Sequence, residues 1–395
     1  MLYNVTCVCF QNTMRQLFRR KDTKTMKIGC VKEIKNNEFR VGLTPDNVKA
    51  YIAAGHHVYM EKGAGIGSGF TDNEYVEAGA SLIDNAAEVW ALVDMMVKVK
   101  EPLPEEYPLF KEGLILYTYL HLAADKEQTD ALLEGKVKAV AYETIQEVDG
   151  SLPCLAPMSQ IAGRLSIQEG AKYLEKKFGG EGILLAGVPG TPKANVVILG
   201  GGTVGMNACK IAVGMGANVT ILDVNLKRLE ELDNRFGSHI QTLVSNDTNV
   251  ENAVKNADLV IGSVLIPGGS TPKLFKRKYL PEMKNGAVFV DVAIDQGGCG
   301  ESSHVTTHDD PIYVEDGVVH YCVGNMPGAV PRTSTIALTN ATLRYGLRIA
   351  EAGLEEACRK SGVVATGVNC YEGKITNKNV ADALGYEYTG LGEFL

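Results

Sequence analysis

The chain has no concentration of positive charge. Its 39 Lys and Arg are outnumbered by 47 Asp and Glu, a formal net charge of −8 at pH 7 over 395 residues. No basic stripe runs through its body, which argues against a nucleic-acid partner, because neutralising phosphates takes clustered Lys and Arg. Paired cysteines are also missing. The nine present are odd in number, scattered from Cys7 to Cys370, and include no Cys-x-x-Cys spacing. That favours free thiols in a reducing compartment over a disulfide framework or a zinc site. No apolar run approaches the roughly 18 residues of a membrane-spanning helix, so no membrane partner is expected. Glycine, by contrast, is abundant at 43 residues. The glycines lie beside apolar runs and read as turns and close backbone approaches.

Residues 1–25 stand apart. They carry Arg15, Arg19, Arg20, Lys21 and Lys24 against one acid, Asp22. Their apolar part precedes the charges, the reverse of a secretory signal. The preferred reading is a disordered leader or a non-native start, because Met26 opens a strand-like run. Import into an organelle is the alternative, and a cytoplasmic enzyme is otherwise expected.

From Met26 short β-branched runs alternate with helical segments. Strands are expected at Lys27–Val31, His57–Glu61, Met95–Lys98, Leu114–Tyr119 and Ala139–Glu143, with helices between them such as Thr44–Ala54 and Thr71–Gly79. A long amphipathic helix is expected over Ser159–Phe178. A second series follows, with strands at Val196–Leu199, Asn218–Leu222, Ile240–Val244, Leu259–Ser263 and Ala287–Asp291. A last helix over Thr335–Lys360 would return the chain to the first series. Alternating β and α units predict mainly parallel sheets covered on both faces. The expected fold is α/β: two Rossmann-like, doubly wound parallel-sheet domains joined by long helices. No sequence repeat relates the two series.

The strongest local motif is Val196-Val-Ile-Leu-Gly200-Gly-Gly202-Thr-Val204-Gly205, a G-x-G-x-x-G directly after an apolar strand. Gly200 makes the tight turn, Gly202 lets backbone approach a pyrophosphate, and Gly205 packs helix on strand. Free N–H groups at the helix start would hold the phosphates. Asp223 ends the next strand, where a carboxylate would hold the adenosine ribose hydroxyls and repel a 2′-phosphate. NAD is therefore expected over NADP, with Arg228 nearby as the opposing signal. Gly63-Ala-Gly65-Ile-Gly67-Ser-Gly69 has the wrong spacing and is expected to be a flexible surface loop.

Charged residues at strand ends are the candidates for a substrate site, although taken singly Lys100 reads as a solvated strand-end lysine, His121 as a capping or packing residue and Arg40 as a surface arginine. Lys98 and Lys100 follow one apolar strand, and alternation points both to the same face. His121 follows another, Arg40 sits in a polar loop after the first strand, and Asp295 closes a buried strand before a Gly-Gly turn. Ligands of open α/β sheets bind at such carboxyl ends. Asp291, inside its strand, reads as structural. His304 and His308, spaced i, i+4, are not read as a metal site.

Together these motifs are familiar in their order: Lys35-Asn-Asn-Glu-Phe-Arg-Val, Val97-Lys-Val-Lys-Glu-Pro, Tyr119-Leu-His-Leu-Ala, Leu155-Ala-Pro-Met-Ser-Gln, Gly200–Gly205, Ile294-Asp-Gln-Gly-Gly-Cys and Asn325-Met-Pro-Gly. From Met26 onward the chain closely resembles the L-alanine dehydrogenases, within the alanine dehydrogenase and transhydrogenase N-terminal superfamily. The resemblance implies reversible NAD-dependent oxidative deamination of L-alanine to pyruvate and ammonia. It implies Arg40 and Lys100 as substrate-binding residues and His121 with Asp295 as the catalytic pair. Around NAD it places Ser159, Asp223, Arg228, Ser245, Val264 and Leu265, then Val292, Ala293, Ile294 and Asp295, and finally Val323, Asn325 and Met326. Arg228 and His304 stand where the family pattern has other basic residues. A substrate domain of residues 26–153 plus 332–395, an NAD domain of 154–331 and a homohexamer are also implied. The competing readings are an NAD(H)-binding transhydrogenase component, another amino-acid dehydrogenase of the superfamily, and a non-enzymatic NAD-binding protein.

Overall fold

The computed structural model describes residues 25–264 and 271–395. The first series builds one sheet from β1 (Lys27–Cys30), β2 (His57–Glu61), β3 (Ser81–Ile83), β4 (Met95–Val97), β5 (Ile115–Thr118) and β6 (Lys138–Ala141). Helices α1 (Pro45–Ala53), α2 (Asp72–Glu77), α3 (Ala86–Leu92) and α4 (Lys126–Glu134) alternate with them. Helix α5 (Ala156–Tyr173) leads to the second sheet. There β7 (Asn195–Leu199), α6 (Thr203–Gly214), β8 (Asn218–Asp223), α7 (Leu226–Phe236), β9 (Ile240–Val244), α8 (Asp247–Lys255), β10 (Leu259–Gly262) and β11 (Val288–Asp291) follow in turn. The hairpin β12 (Ile312–Glu315) and β13 (Val318–Tyr321) completes it. Helices α9 (Pro331–Ala352) and α10 (Leu354–Lys360) then carry the chain back, and β14 (Val368–Tyr371) and β15 (Lys374–Ile375) extend the first sheet.

The strand orders are β15-β14-β6-β5-β4-β1-β2-β3 and β12-β13-β11-β10-β7-β8-β9. Both run outward in two directions from their first strand, the order of a doubly wound dinucleotide-binding sheet. In each, the order reverses beside that strand, between β1 and β4 and between β7 and β10. The expected α/β architecture is therefore present twice, without sequence repetition. The sheets are mixed rather than wholly parallel, because β12, β14 and β15 pair antiparallel with their neighbours.

Local rules account for the elements. Thr44 caps α1 by accepting from the Asn47 N–H, with Pro45 in the first turn. Thr71 and Glu74 form a reciprocal capping box on α2. In β4, Met95 and Val97 enter the core shared with α9, while Met96 enters the one shared with Val89 and Trp90 of α3. Burial on both faces is why this strand reads as a continuous apolar run. Helices α5 and α6 approach closely at Gly163, where an added Cβ would lie 2.2 Å from the Val204 carbonyl oxygen.

Three expectations need correction. The segment Thr335–Lys360 is two helices, because Gly353 at φ +80° breaks it. The expected 159–178 helix starts at Ala156 and stops at Tyr173. The glycines at 63–69 do not form a flexible surface loop. Ser68 is buried there and its hydroxyl donates to the Phe39 carbonyl at 2.9 Å, while Arg332 donates to the Gly69 carbonyl at 2.8 Å. That turn seats the start of α9 against the loop carrying Arg40. Among the described residues no helix is long and apolar enough to cross a membrane. Residues 1–24 and Leu265 lie outside the described residues.

Candidate active site

The connections after β1, β4, β5 and β11 open onto one cavity of about 330 Å³ between the sheets. Its walls bring together Arg40, Lys100, His121 and Asp295, the four residues singled out from separate strand ends. Ser159, Val204, Val292, Ala293, Asn325 and Met326 also line it.

Arg40 is buried and strongly held. Its Nε and Nη2 donate to the two oxygens of Glu38 at 2.7 and 2.6 Å, and Nη2 also donates to Asn325 Oδ1 at 2.8 Å. This two-point fork fixes the guanidinium plane, and Nη1 is the nitrogen left facing Met158. Burial raises the Glu38 carboxyl, but the hydrogen bonds and charge of Arg40, with Asn325, outweigh it and hold it down at about 2. Glu38 is thus a charged partner of Arg40, and it was not anticipated. Only its place two residues before Arg40 marked it.

His121 sits just past β5 in the left-handed region, φ +51°. An acid holds it there: Glu143 accepts from the His121 N–H at 2.6 Å and from the Leu120 N–H at 3.1 Å. Its ring stacks on Tyr119 with centroids 5.9 Å apart, and Nδ1 lies 3.9 Å from Glu143 Oε1. With Nδ1 toward Glu143, Nε2 is the nitrogen available to a ligand. Glu143 was also unassigned, although it closes the strand expected next to that of His121.

Lys100 lies 3.7 Å from Glu101 and is largely covered. Lys98 does not share its face. The strand ends at Val97 and the chain bends at 99–100, so alternation stops applying; Lys98 is fully buried with Glu33 and Glu106. Asp295 is exposed to the cavity, and its Oδ1 accepts from the Asn325 N–H at 3.0 Å. Asn325, at φ +59°, also donates through its side chain to Glu38 at 3.0 Å. One residue thereby ties the Arg40 anchor to the acid on the other sheet.

The glycine turn is arranged as its motif requires. Gly200 has φ +103°. A Cβ on Gly205 would lie 1.8 Å from the Gly200 carbonyl oxygen, so this glycine is needed for helix–strand contact. A Cβ on Gly202 would meet nothing within 4 Å, so open space lies over the start of α6. No side chain caps that helix, and its first N–H groups are left for an anion. Asp223 accepts from the Gly201 N–H at 2.7 Å and stands beside this cradle. The donors and the carboxylate fit a dinucleotide's pyrophosphate and ribose.

Other predicted positions are less direct. Arg228 donates to the Gly201 carbonyl at 2.6 Å and pairs with Glu231. Ser245 sits beside Asp223, donating to its carbonyl at 2.9 Å, and Val264 lies against Gly200. Ile294 and Val323 are buried in the cores and do not line the cavity. Asp291 is structural, accepting from the N–H groups of Ala293, Cys299 and Gly300. His304 stacks on Tyr313 with centroids 3.7 Å apart. His308 Nε2 faces the Asn325 carbonyl at 3.3 Å.

Two doubly wound sheets, a glycine turn open over a helix start and a cleft that gathers Arg40, Lys100, His121 and Asp295 have the form of a dinucleotide-binding protein of the dehydrogenase type. Comparison with known proteins narrows this. Residues 29–162 match the N-terminal domain, and 166–378 the C-terminal domain, of alanine dehydrogenase/PNT. The chain is 57% identical over 371 residues to an alanine dehydrogenase of Staphylococcus haemolyticus, covering 94% of this chain and 99% of that one. It is 56% identical to alanine dehydrogenase 2 of Staphylococcus aureus, covering 94% and 100%. A solved L-alanine dehydrogenase superposes with TM-score 0.89 at 50% identity, covering 91% of this chain and 99% of that one. A transhydrogenase from Sinorhizobium meliloti shares the fold at TM-score 0.77 and 23% identity, covering 89% and 99%. The chain belongs to the alanine dehydrogenase/PNT family.

Proposed function

We propose that this protein catalyses NAD-dependent oxidative deamination of L-alanine to pyruvate and ammonia, and the reverse. The observation that carries the reading is the meeting of Arg40, Lys100, His121 and Asp295 in one cavity beside the glycine cradle. Identity of 57% with an alanine dehydrogenase over nearly the whole chain supports it.

The residues divide the work by charge and position. Arg40, its plane fixed by Glu38, holds the substrate carboxylate through charge-assisted hydrogen bonds. Lys100 polarises the oxygen that becomes the pyruvate carbonyl. Asp295, exposed to the cavity, takes a proton from the alanine ammonium and releases it to solvent, then takes one from the water that attacks the imine carbon and passes it to the amine nitrogen. His121 removes the remaining hydroxyl proton through Nε2, so the carbinolamine collapses to pyruvate and ammonia departs. Gly202 and Asp223 would hold NAD, which would supply the acceptor for the Cα hydride. In reverse, the same groups protonate and hold pyruvate while ammonia adds.

We assign residues 26–153 plus 332–395 to substrate binding and 154–331 to NAD, following the two sheets. Ser159, Ser245, Val264, Leu265 and the 292–295 and 323–326 segments are assigned to the cofactor side, Ile294 and Val323 through backbone. The family resemblance supports a homohexamer. The free, buried thiols among the described residues fit a cytoplasmic protein. NADH formation at 340 nm with a panel of amino acids tests the reading. L-Alanine with NAD is expected to exceed every other amino acid, and NADP, by about 10-fold or more. NADH binding without turnover of any amino acid would instead support the transhydrogenase-like reading.

A further inference from the structure

The mechanism above leaves one set of buried ionisable groups unused. Glu33, Lys98 and Glu106 are buried together, with Lys98 Nζ 2.9 Å from Glu33 and 3.0 Å from Glu106. Burial would lower the Lys98 ammonium, but the two carboxylates outweigh it and raise it, so Lys98 stays charged. Taking charges out of water is costly, and apolar residues of similar volume commonly hold a core as well or better. The cluster therefore calls for a role beyond stability.

Its hydrogen bonds indicate one. Glu33 lies on the connection after β1 that leads to Arg40, and Lys98 on the connection after β4 that carries Lys100. These two connections flank the point where the strand order reverses. Glu33 Oε1 accepts from the Val99 N–H at 2.6 Å and the Lys100 N–H at 3.3 Å. The Thr118 hydroxyl donates to the Lys100 carbonyl at 2.9 Å, and the Tyr142 hydroxyl to that of Lys98 at 3.0 Å. Glu106 accepts from the Leu103 N–H at 3.1 Å. Lys100 is thus held through its backbone, while its side chain is left to the cavity.

We propose that Glu33, locked in place by Lys98, is a positioning residue that sets the backbone of Lys100 and so its spacing from Arg40. The inference rests on the reading of Arg40 and Lys100 as the substrate's anchors. A displacement of about 1 Å at such a site costs up to 100-fold in efficiency. Two variants separate positioning from charge. Glu33→Met keeps the length, loses the acceptor, and leaves Lys98 paired with Glu106. Glu33→Gln keeps an acceptor oxygen for the Val99 and Lys100 N–H groups.

Pyruvate reduction is measured with NADH and ammonia, and NADH affinity by its fluorescence. Glu33→Met is expected to raise the pyruvate KM about tenfold or more, with kcat within about threefold and NADH Kd within about twofold. Glu33→Gln is expected to recover KM to within about threefold of wild type. An unchanged KM in Glu33→Met, or equal impairment in Glu33→Gln, overturns the proposal. Should Glu33→Met not fold, Thr118→Val removes the hydroxyl on the Lys100 carbonyl and is expected to raise KM at least about threefold. An unchanged KM there overturns the proposal. Wild-type protein that binds NADH but does not reduce pyruvate overturns the substrate reading itself.

Discussion

Asp295→Asn is expected to lower kcat for alanine oxidation by about 10³-fold, and His121→Asn by about 10²-fold, with NADH binding within about twofold of wild type. Asn at 295 keeps an oxygen for the Asn325 N–H, which now reaches Asp295 Oδ1 at 3.0 Å, so the loop holds its shape. It cannot accept a proton from the ammonium or the attacking water. At 121, asparagine is chosen because the backbone there has φ +51°, a conformation asparagine tolerates better than alanine. The Glu143 bond to the 121 N–H is kept. What is lost is the ring nitrogen facing the cavity. Steady-state rates at 340 nm measure both, and a kcat within about threefold of wild type in either variant removes that residue from the proton path.

The second large effect separates the two roles that the motif assigns to Gly202 and Gly205. Gly205→Ala would place a methyl 1.8 Å from the Gly200 carbonyl oxygen and 2.8 Å from Ser263 Oγ. Neither the backbone turn nor the start of α6 can move away without breaking strand contact. The cost is about 3–5 kcal/mol, seen as a fall in melting temperature of roughly 6–20 °C. Gly202→Ala places its methyl in open space. Its melting temperature is expected to stay within about 2 °C. That methyl occupies the ground a pyrophosphate needs, so NADH Kd rises about tenfold or more. Thermal scans with NADH titrations check the pair. A Gly205→Ala protein as stable as wild type contradicts the packing argument. Unchanged NADH affinity in Gly202→Ala contradicts the cradle.

The reach of sequence reasoning follows from the physics of each element. The central strands, buried on both faces, are apolar runs ending in glycine or charge, and they were readable to within a few residues. β3 and β12 are partly exposed, β14 is broken by Asn369 and β15 has two residues, so none shows the buried apolar run of the central strands. Antiparallel pairing of the last three therefore could not be foreseen. Gly353 has the positive φ that ends a helix, a signal that was present but outweighed by the helical pattern on either side. At the site, Lys100, His121 and Asp295 are visible one by one at strand ends, but alone Lys100 and His121 read as a solvated and a packing residue and Arg40 as a surface arginine; the order of the motifs and the family they resemble are what brought the four together. Their partners were not visible. Asn325 and Glu38 are 287 positions apart, and Glu33 lies 67 from Lys100. Such pairs exist only once the sheets are wound. Lys98 shows the converse: alternation was carried through Lys98 to Lys100, past the end of the strand at Val97.

The most direct measurement is turnover of L-alanine carrying deuterium at Cα with NAD, followed by mass spectrometry of the reduced cofactor. The cavity that joins Arg40 and Asp295 and reaches Val204 of the glycine turn predicts one deuterium on the nicotinamide ring per pyruvate formed. Pyruvate formed with no deuterium in the reduced cofactor would contradict hydride transfer from Cα, and with it the function assigned to this site.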